Sequence, residues 1–346
     1  MPRVSAEKLQ TIVDRILRAV RAPGHVAGSV ARHVVDADLC GYPTHGVNTM
    51  PHYISDVGAG RIVPDAEPEM SKTGNGFLQV DGKNAFGHYA VDWLIPRILH
   101  QLDSQAVCLA AVRNIGHVGR LGGYVETLAL HGCLAIMTSS YAVDDYEAVV
   151  APPGGTVRLL GTNPIAIAVP TKSLPFVFDA STSAGTVFGI INAARSGSEL
   201  PLGVLLDSRG NPTKQPDDFF AGGVMLPFGG HKGFGLSLGM CLLSALSGDC
   251  NPASGRFGGV ALIAIKTDPF TNSGDYLTGV DDFFSIIRAT PSVPGVQVRI
   301  PGDRMHAERE QRRREGVDLS QVCWDLLMKC HDELGLSTET FELETR

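Results

Sequence analysis

The chain has 346 residues, enough for two or three packed layers or lobes, with 44% hydrophobic and 19% charged side chains. Its 29 basic and 36 acidic residues give a net charge of −7, which argues against a nucleic-acid surface, and the single basic cluster, Arg309 to Arg314, alternates with Glu308, Glu310 and Glu315 as a solvated helix face does. No run approaches the roughly 18 apolar residues of a membrane span, the N-terminus has no signal-peptide apolar region, and none of the seven cysteines forms a C-x-x-C pair of the zinc-binding kind.

Ser5-Ala6-Glu7 opens a helical pattern carried by Leu9, Ile12, Val13, Ile16 and Leu17. A second amphipathic helix follows the break at Pro23-Gly24 and runs to residue 40. It delivers the chain to Gly41-Tyr42-Pro43-Thr44-His45-Gly46-Val47, where an imidazole and a hydroxyl stand side by side in a turn. Histidine titrates close to neutral pH, so His45 is a candidate general acid/base; the plain alternative is a capped helix–helix turn with a surface histidine.

Residues 48–62 read as helix, 76–81 as strand and 88–104 as helix. The apolar run 107–112 leads into Asn114-Ile115-Gly116-His117-Val118-Gly119-Arg120, followed by a helix over 124–131 and a strand over 133–139. That order imitates a dinucleotide-binding βαβ unit, but the glycines are spaced G-x-x-G-x-x-G rather than G-x-G-x-x-G. Here His117 can lie against a flat ligand and Arg120 can grip a carboxylate with two parallel bonds; a tight turn with a capping arginine explains the segment equally well.

Residues 157–190 contain extended runs interrupted by Gly161-Thr162-Asn163-Pro164 and by Asp179-Ala180-Ser181-Thr182-Ser183. The second cluster suits ribose hydroxyls, or else an Asx/ST turn that satisfies its own backbone. Residues 226–235 form a glycine loop containing His231-Lys232-Gly233, ahead of a helix over 236–246. Backbone amides at a helix start, with a lysine beside them, suit a phosphate. Strands are expected over 258–266 and 295–300, and helices over 303–315 and 318–334. Helices at both ends around a β-rich middle give an α+β fold. The isolated cysteines, mostly in apolar stretches, read as buried reduced thiols and point to the cytoplasm.

Together these segments resemble the malate/L-lactate dehydrogenase type 2 family of NAD(P)-dependent, non-Rossmann oxidoreductases, and within it the hydroxycarboxylate dehydrogenase subgroup. The matches are Ala37-Asp38-Leu39 with Thr44-His45-Gly46-Val47, Asn114 with Gly116-His117 and Gly119, Leu160 to Ala166, Asp179 with Thr182-Ser183, Leu206-Asp207 with Gly210 to Thr213, Leu226 to Gly233, and Pro301-Gly302-Asp303. The resemblance implies a largely antiparallel cofactor-binding sheet over 121–299, a helical lobe made of 1–75 and 300–346, and a connecting, substrate-facing region over 76–120. It implies a homodimer, no metal, NAD or NADP as cofactor, and hydride transfer to a 2-oxo acid (the reverse of 2-hydroxy acid oxidation). Cyclic imine reduction and a catalytically silent dinucleotide binder are the alternatives. By the match, His45 is the proton donor beside Thr44, and His117 orients substrate or shares a proton relay. Thr162, Asn163, Asp179, Ser181, Thr182, Ser183, Gly185, His231, Lys232 and Gly233 line the cofactor. Where many members carry a substrate-gripping arginine, this chain has Asn48 and its neighbours; Arg120 is the residue expected to supply the missing guanidinium.

Overall fold

The computed structural model describes residues 2–143 and 148–336. The main helices are α1 (Ala6–Ala19), α2 (Gly24–Leu39), α3 (Met50–Gly58), α4 (Gly87–Leu102), α5 (Gly122–Leu130), α6 (Val187–Ser196), α7 (His231–Ser244), α8 (Ser273–Arg288), α9 (Asp303–Glu315) and α10 (Gln321–Glu333). The main strands are β1 (Glu69–Gly74), β2 (Phe77–Ala85), β3 (Val107–Ile115), β4 (Cys133–Ala142), β5 (Ile165–Val169), β6 (Phe176–Ala180) and β7 (Arg256–Lys266). None of these helices is long and apolar enough to cross a membrane.

The strands form one sheet in the order β1-β2-β3-β7-β4-β5-β6, with the short strand Asp249–Asn251 paired to the start of β7. Every pairing is antiparallel except β2 with β3. This is the α+β, antiparallel-rich architecture expected. The β3–α5–β4 segment fails as a Rossmann unit for a topological reason. β7, which arrives more than 110 residues later, lies between β3 and β4 and runs antiparallel to both. The squeeze shows at Gly258 and Gly259, whose φ values are 136° and 141°. A Cβ at Gly258 would meet the Ser140 carbonyl oxygen at 2.0 Å, and one at Gly259 would meet that of Val112 at 2.7 Å. Only glycine fits there.

Helices α4 and α5 cover the sheet through Val91, Leu94, Ile98, Tyr124, Val125 and Leu128. A second core joins the two ends of the chain: α1 and α2 supply Leu9, Ile12, Ile16, Val30 and Val34, and α10 supplies Trp324 and Leu327. Strand Arg3–Val4 pairs with Val317–Asp318 and closes that lobe.

Several local expectations change. Residues 295–300 form no strand, because Pro294-Gly295 bends the chain and Pro301 follows. Residues 187–190 begin α6 instead of extending a strand, since Thr186 caps the helix through the Gly189 amide at 3.0 Å. Helix α7 starts at His231, so His231, Lys232 and Gly233 lie in its first turn rather than in a preceding loop. The basic cluster is not wholly solvated: Arg309 is largely buried and paired, bonding Glu126 at 2.5 and 2.6 Å and Asp36 at 3.0 Å.

Candidate active site

The His45 turn is held from below by α2. Asp38 is 2% exposed and its carboxylate accepts the Val47 amide at 2.8 Å. Burial raises the Asp38 pKa to about 7, against the Val47 bond and the Arg312 charge, which lower it. A Cβ at Gly46 would fall 2.0 Å from that carboxylate, so glycine is required for the contact. The Tyr42 carbonyl accepts the His45 amide at 2.9 Å, and Thr49 closes the turn by donating its hydroxyl to the Gly46 carbonyl at 2.7 Å. The imidazole is thus fixed to the end of a packed helix.

Thr44 Oγ1 lies 3.0 Å from His45 Nδ1. The His45 ring stacks on His117, with centroids 5.8 Å apart and planes 18° from parallel. His117 in turn places Nδ1 2.8 Å from Tyr53 Oη on α3. Burial lowers the pKa of His45; the Asp179 carboxylate opposes that and the Arg120 charge adds to it. His117 falls to about 3, through burial and then the neighbouring His45 and His52. Asp179, at the end of β6, accepts the Gly122 amide at 2.7 Å. Burial raises its pKa, against the pull of Arg120, that amide and His45. The structure therefore brings residues 44, 45, 117 and 179, far apart in sequence, to one electrostatically linked place.

Arg120 is there too, but its charge is already matched. It is 5% exposed, with Asp36 at 2.8 Å and Glu126 at 3.5 Å. Burial lowers its pKa, but Cys40, Asp36, Asp179 and Glu126 outweigh that and raise it above the ordinary arginine value. Asn48 sits half-buried in the 3-10 turn Val47–Thr49.

The second predicted cluster forms around the start of α7. Asn163, with φ 40°, accepts the Tyr141 amide at 2.9 Å and donates to Ser237 Oγ at 3.0 Å. Thr182 donates its hydroxyl to the carbonyls of Thr162 and Asn163 at 3.0 and 2.8 Å. Ser183 donates to the Gly185 carbonyl, and Ser181 to that of Ser183. These hydroxyls are turned on the backbone, as an ST turn would have them. They tie β6 to the Phe228 amide through the Thr182 carbonyl, 3.0 Å away. By contrast His231 and Lys232 are exposed.

Sequence reasoning passed over Tyr53, His88, His33 and Arg309. Tyr53 had a usable signal: it lies eight residues beyond His45, after a helix start marked by Pro51, on the apolar face that includes Met50.

The family model for malate/L-lactate dehydrogenase matches residues 4–328. The chain is 30% identical to an L-lactate dehydrogenase of Cupriavidus necator, over 98% of this chain and 99% of that one. It is 32% identical to a Delta(1)-pyrroline-2-carboxylate/Delta(1)-piperideine-2-carboxylate reductase of Pseudomonas syringae pv. tomato, covering 92% and 93%. The sulfolactate dehydrogenase structure from Methanocaldococcus jannaschii superposes with a TM-score of 0.85 at 28% identity, covering 97% of this chain and 98% of that one. This chain belongs to the malate/L-lactate dehydrogenase family, and it is an oxidoreductase acting on 2-hydroxy acids and their oxo forms.

The family implies a nicotinamide nucleotide cofactor. The start of α7 fits its phosphates. Gly229 and Gly230 take φ values of 55° and 63°, and nothing lies within 4 Å of where a Cβ would stand on either. That leaves the first turn open to an anion beside the exposed Lys232.

Proposed function

We propose that this enzyme reduces a 2-oxo acid with NADH or NADPH, and runs in reverse as a 2-hydroxy acid dehydrogenase. The observation that supports this best is the stacked His45–His117 pair facing Asp179, a proton donor set next to a carboxylate that tunes it. When bound, the nicotinamide supplies or accepts the hydride. Lys232 and the first turn of α7 hold its phosphate end, while Thr162, Asn163, Asp179 and Ser181 to Gly185 form the wall that shapes its site, with His231 and Gly233 at the edge.

His45 gives its proton to the substrate oxygen as negative charge grows there. In its proton-donating form the ring is protonated on both nitrogens: Nδ1–H donates to Thr44 Oγ1, and Nε2–H is left for the substrate. Burial keeps His45 below its ordinary pKa, and a developing oxyanion reverses that shift by the same physics as Asp179. His117 orients the carbonyl. Asn48 supplies an amide for the substrate carboxylate. Arg120 contributes its field from beneath the site through Asp36 and Asp179, and it reaches the carboxylate directly only if substrate displaces one of its partners.

The relatives that reduce cyclic imines favour a second reading, with a ring-closed 2-carboxylate imine as the acceptor. One assay decides between them. Purified enzyme is given NADH or NADPH with a panel of 2-oxo acids and cyclic imines, and cofactor oxidation is followed. We expect the highest kcat/KM with a small 2-oxo acid; a higher value with an imine assigns the second reading, and no oxidation with any acceptor overturns both.

The enzyme works as a homodimer. Helix α7 exposes Leu238 and Leu242, and the 3-10 turn after it exposes Leu246, with open space above Gly235 and Gly239. Helix α8 has no buried residue and exposes Phe283 and Ile286 at 59% and 69%. Apolar helix faces of this extent call for a covering partner. Leu242→Glu should shift the mass measured by sedimentation equilibrium from dimer toward monomer; a wild-type protein that sediments as a monomer would rule the dimer out. Seven free thiols suit a reducing cytoplasmic setting.

A further inference from the structure

The histidine pair in the cleft is one end of a longer line. Tyr53 Oη lies 2.8 Å from His117 Nδ1 and 3.5 Å from His88 Nε2. His88, on α4, is 1% exposed, and its ring centroid is 5.9 Å from that of His33 on α2. His33 Nε2 lies 2.7 Å from Asp92 Oδ1. Asp92 also receives the Ser29 hydroxyl at 2.5 Å and a bond from Arg32, whose side chain is 60% exposed. The line thus crosses the helical lobe from the cleft to a charged group at the surface.

An aliphatic core has no packing need for these imidazoles, and each buried polar atom left without a partner carries a desolvation cost. His88 Nδ1 has no hydrogen-bond partner among the described residues. It faces away from Tyr53, on the side of the ring not used by Nε2.

The donors on this line have two consistent arrangements. In one, Tyr53 donates to His117 Nδ1, His88 Nε2–H donates to Tyr53 Oη, and His117 carries its proton on Nε2. In the other, every proton on the line has moved one place. A proton arriving at His88 Nδ1 lets the Nε2 proton pass to Tyr53 Oη. The Tyr53 hydroxyl proton passes to His117 Nδ1, and the His117 Nε2 proton leaves toward the cleft. One proton enters, one leaves, and all three side chains end neutral.

We propose that His88, Tyr53 and His117 form a proton path, loaded from the His33–Asp92 pair, that recharges His45 after each reduction. This rests on the reductase reading, in which every turnover consumes one proton along with the hydride. A water at each of the two ring-to-ring steps, His33 to His88 and His117 to His45, completes the path. Burial holds His88 well below its ordinary pKa and His117 near 3, so neither ring stores the proton; both pass it on. A carboxylate stands at each end of the path, Asp92 beside His33 and Asp179 near His45. His88 touches no reacting atom and acts only through Tyr53.

The test separates the first turnover from later ones. Enzyme preloaded with reduced cofactor and the best oxo acid is followed by stopped flow, with a pH indicator reporting proton uptake. Wild-type enzyme should show one rate throughout. In His88→Leu, the first hydride transfer should keep its wild-type rate, because His45 takes its first proton during preincubation, before the substrate is mixed in. Later turnovers should slow about tenfold or more, giving a burst of one equivalent per site. Added imidazole should restore the later rate. His33→Gln, at a half-buried position and outside the site, should show the same burst, and it serves if His88→Leu does not fold. Wild-type turnover without a burst in a folded variant overturns the path. Equal slowing of the first and later turnovers also overturns it, because that is the mark of a purely structural role. Failure of wild-type enzyme to oxidise either cofactor with any acceptor would instead overturn the reductase reading.

Discussion

His45→Ala is expected to lower kcat for oxo acid reduction by about 10²–10⁴-fold, the range for loss of a positioned general acid. Cofactor affinity, read from the quenching or enhancement of reduced-nicotinamide fluorescence, should stay at the wild-type value. The turn carrying His45 is fixed by Asp38, Gly46 and Thr49, none of which uses the imidazole. Removing the ring therefore removes chemistry without unlocking the backbone. Thr44→Val should cost less, since it leaves the ring in place and loses only the bond to Nδ1. A His45→Ala enzyme retaining a tenth or more of wild-type kcat would move the proton donor elsewhere, with His117 next in line.

Arg120→Met is expected to destabilise the fold by about 3–5 kcal/mol, the cost of leaving buried carboxylates without their cation. Asp36 sits in a field built jointly by Arg120 and Arg309, which together hold its pKa below the ordinary carboxylate value despite its burial. Arg120 also pulls on Asp179, although burial there wins and leaves its pKa raised. Urea denaturation of the variant against wild type measures the loss. The same variant separates two roles for the guanidinium. If Arg120 grips substrate, the oxo acid KM rises steeply; if it acts through Asp179 and His45, kcat falls and KM moves little. The internal pairing favours the second pattern. Wild-type stability in Arg120→Met would mean that Arg309 alone suffices for the cluster.

The helical ends of the chain were legible because their apolar residues recur at helical spacing, with a clear cap at Ser5. Strands β2, β3, β4 and β7 were legible as apolar runs between turn residues. Sheet order was not, because strand partners far apart in the chain leave no local mark: nothing near residue 110 announces that its neighbour is residue 262. Helix α8 was missed because none of its residues is buried among the described residues and they read as mixed. At the site, the turn at residues 44–46 was conspicuous because glycine, hydroxyl and imidazole are unusual together. Arg120 misled for an opposite reason. An arginine flanked by glycines looks available, and only the packing of α2 and α9 against α5 reveals the carboxylates that claim it. His88 and His33 gave no signal, since a histidine in a helical pattern is ordinarily structural.

The late arrival of β7 sets a rule for how this protein is made. By the time residue 250 leaves the ribosome, β3 and β4 have both been synthesised, and each has an inner edge with no strand to pair. The first two-thirds of the chain therefore holds an open slot at the centre of its sheet. Residues 256–266 must enter that slot from the middle, not add at a rim, and Gly258 and Gly259 are the point that lets a backbone pass between two others. A nascent chain stalled before this segment carries two sticky edges and no completed core, and is the form of the molecule most exposed to aggregation and to capture by chaperones.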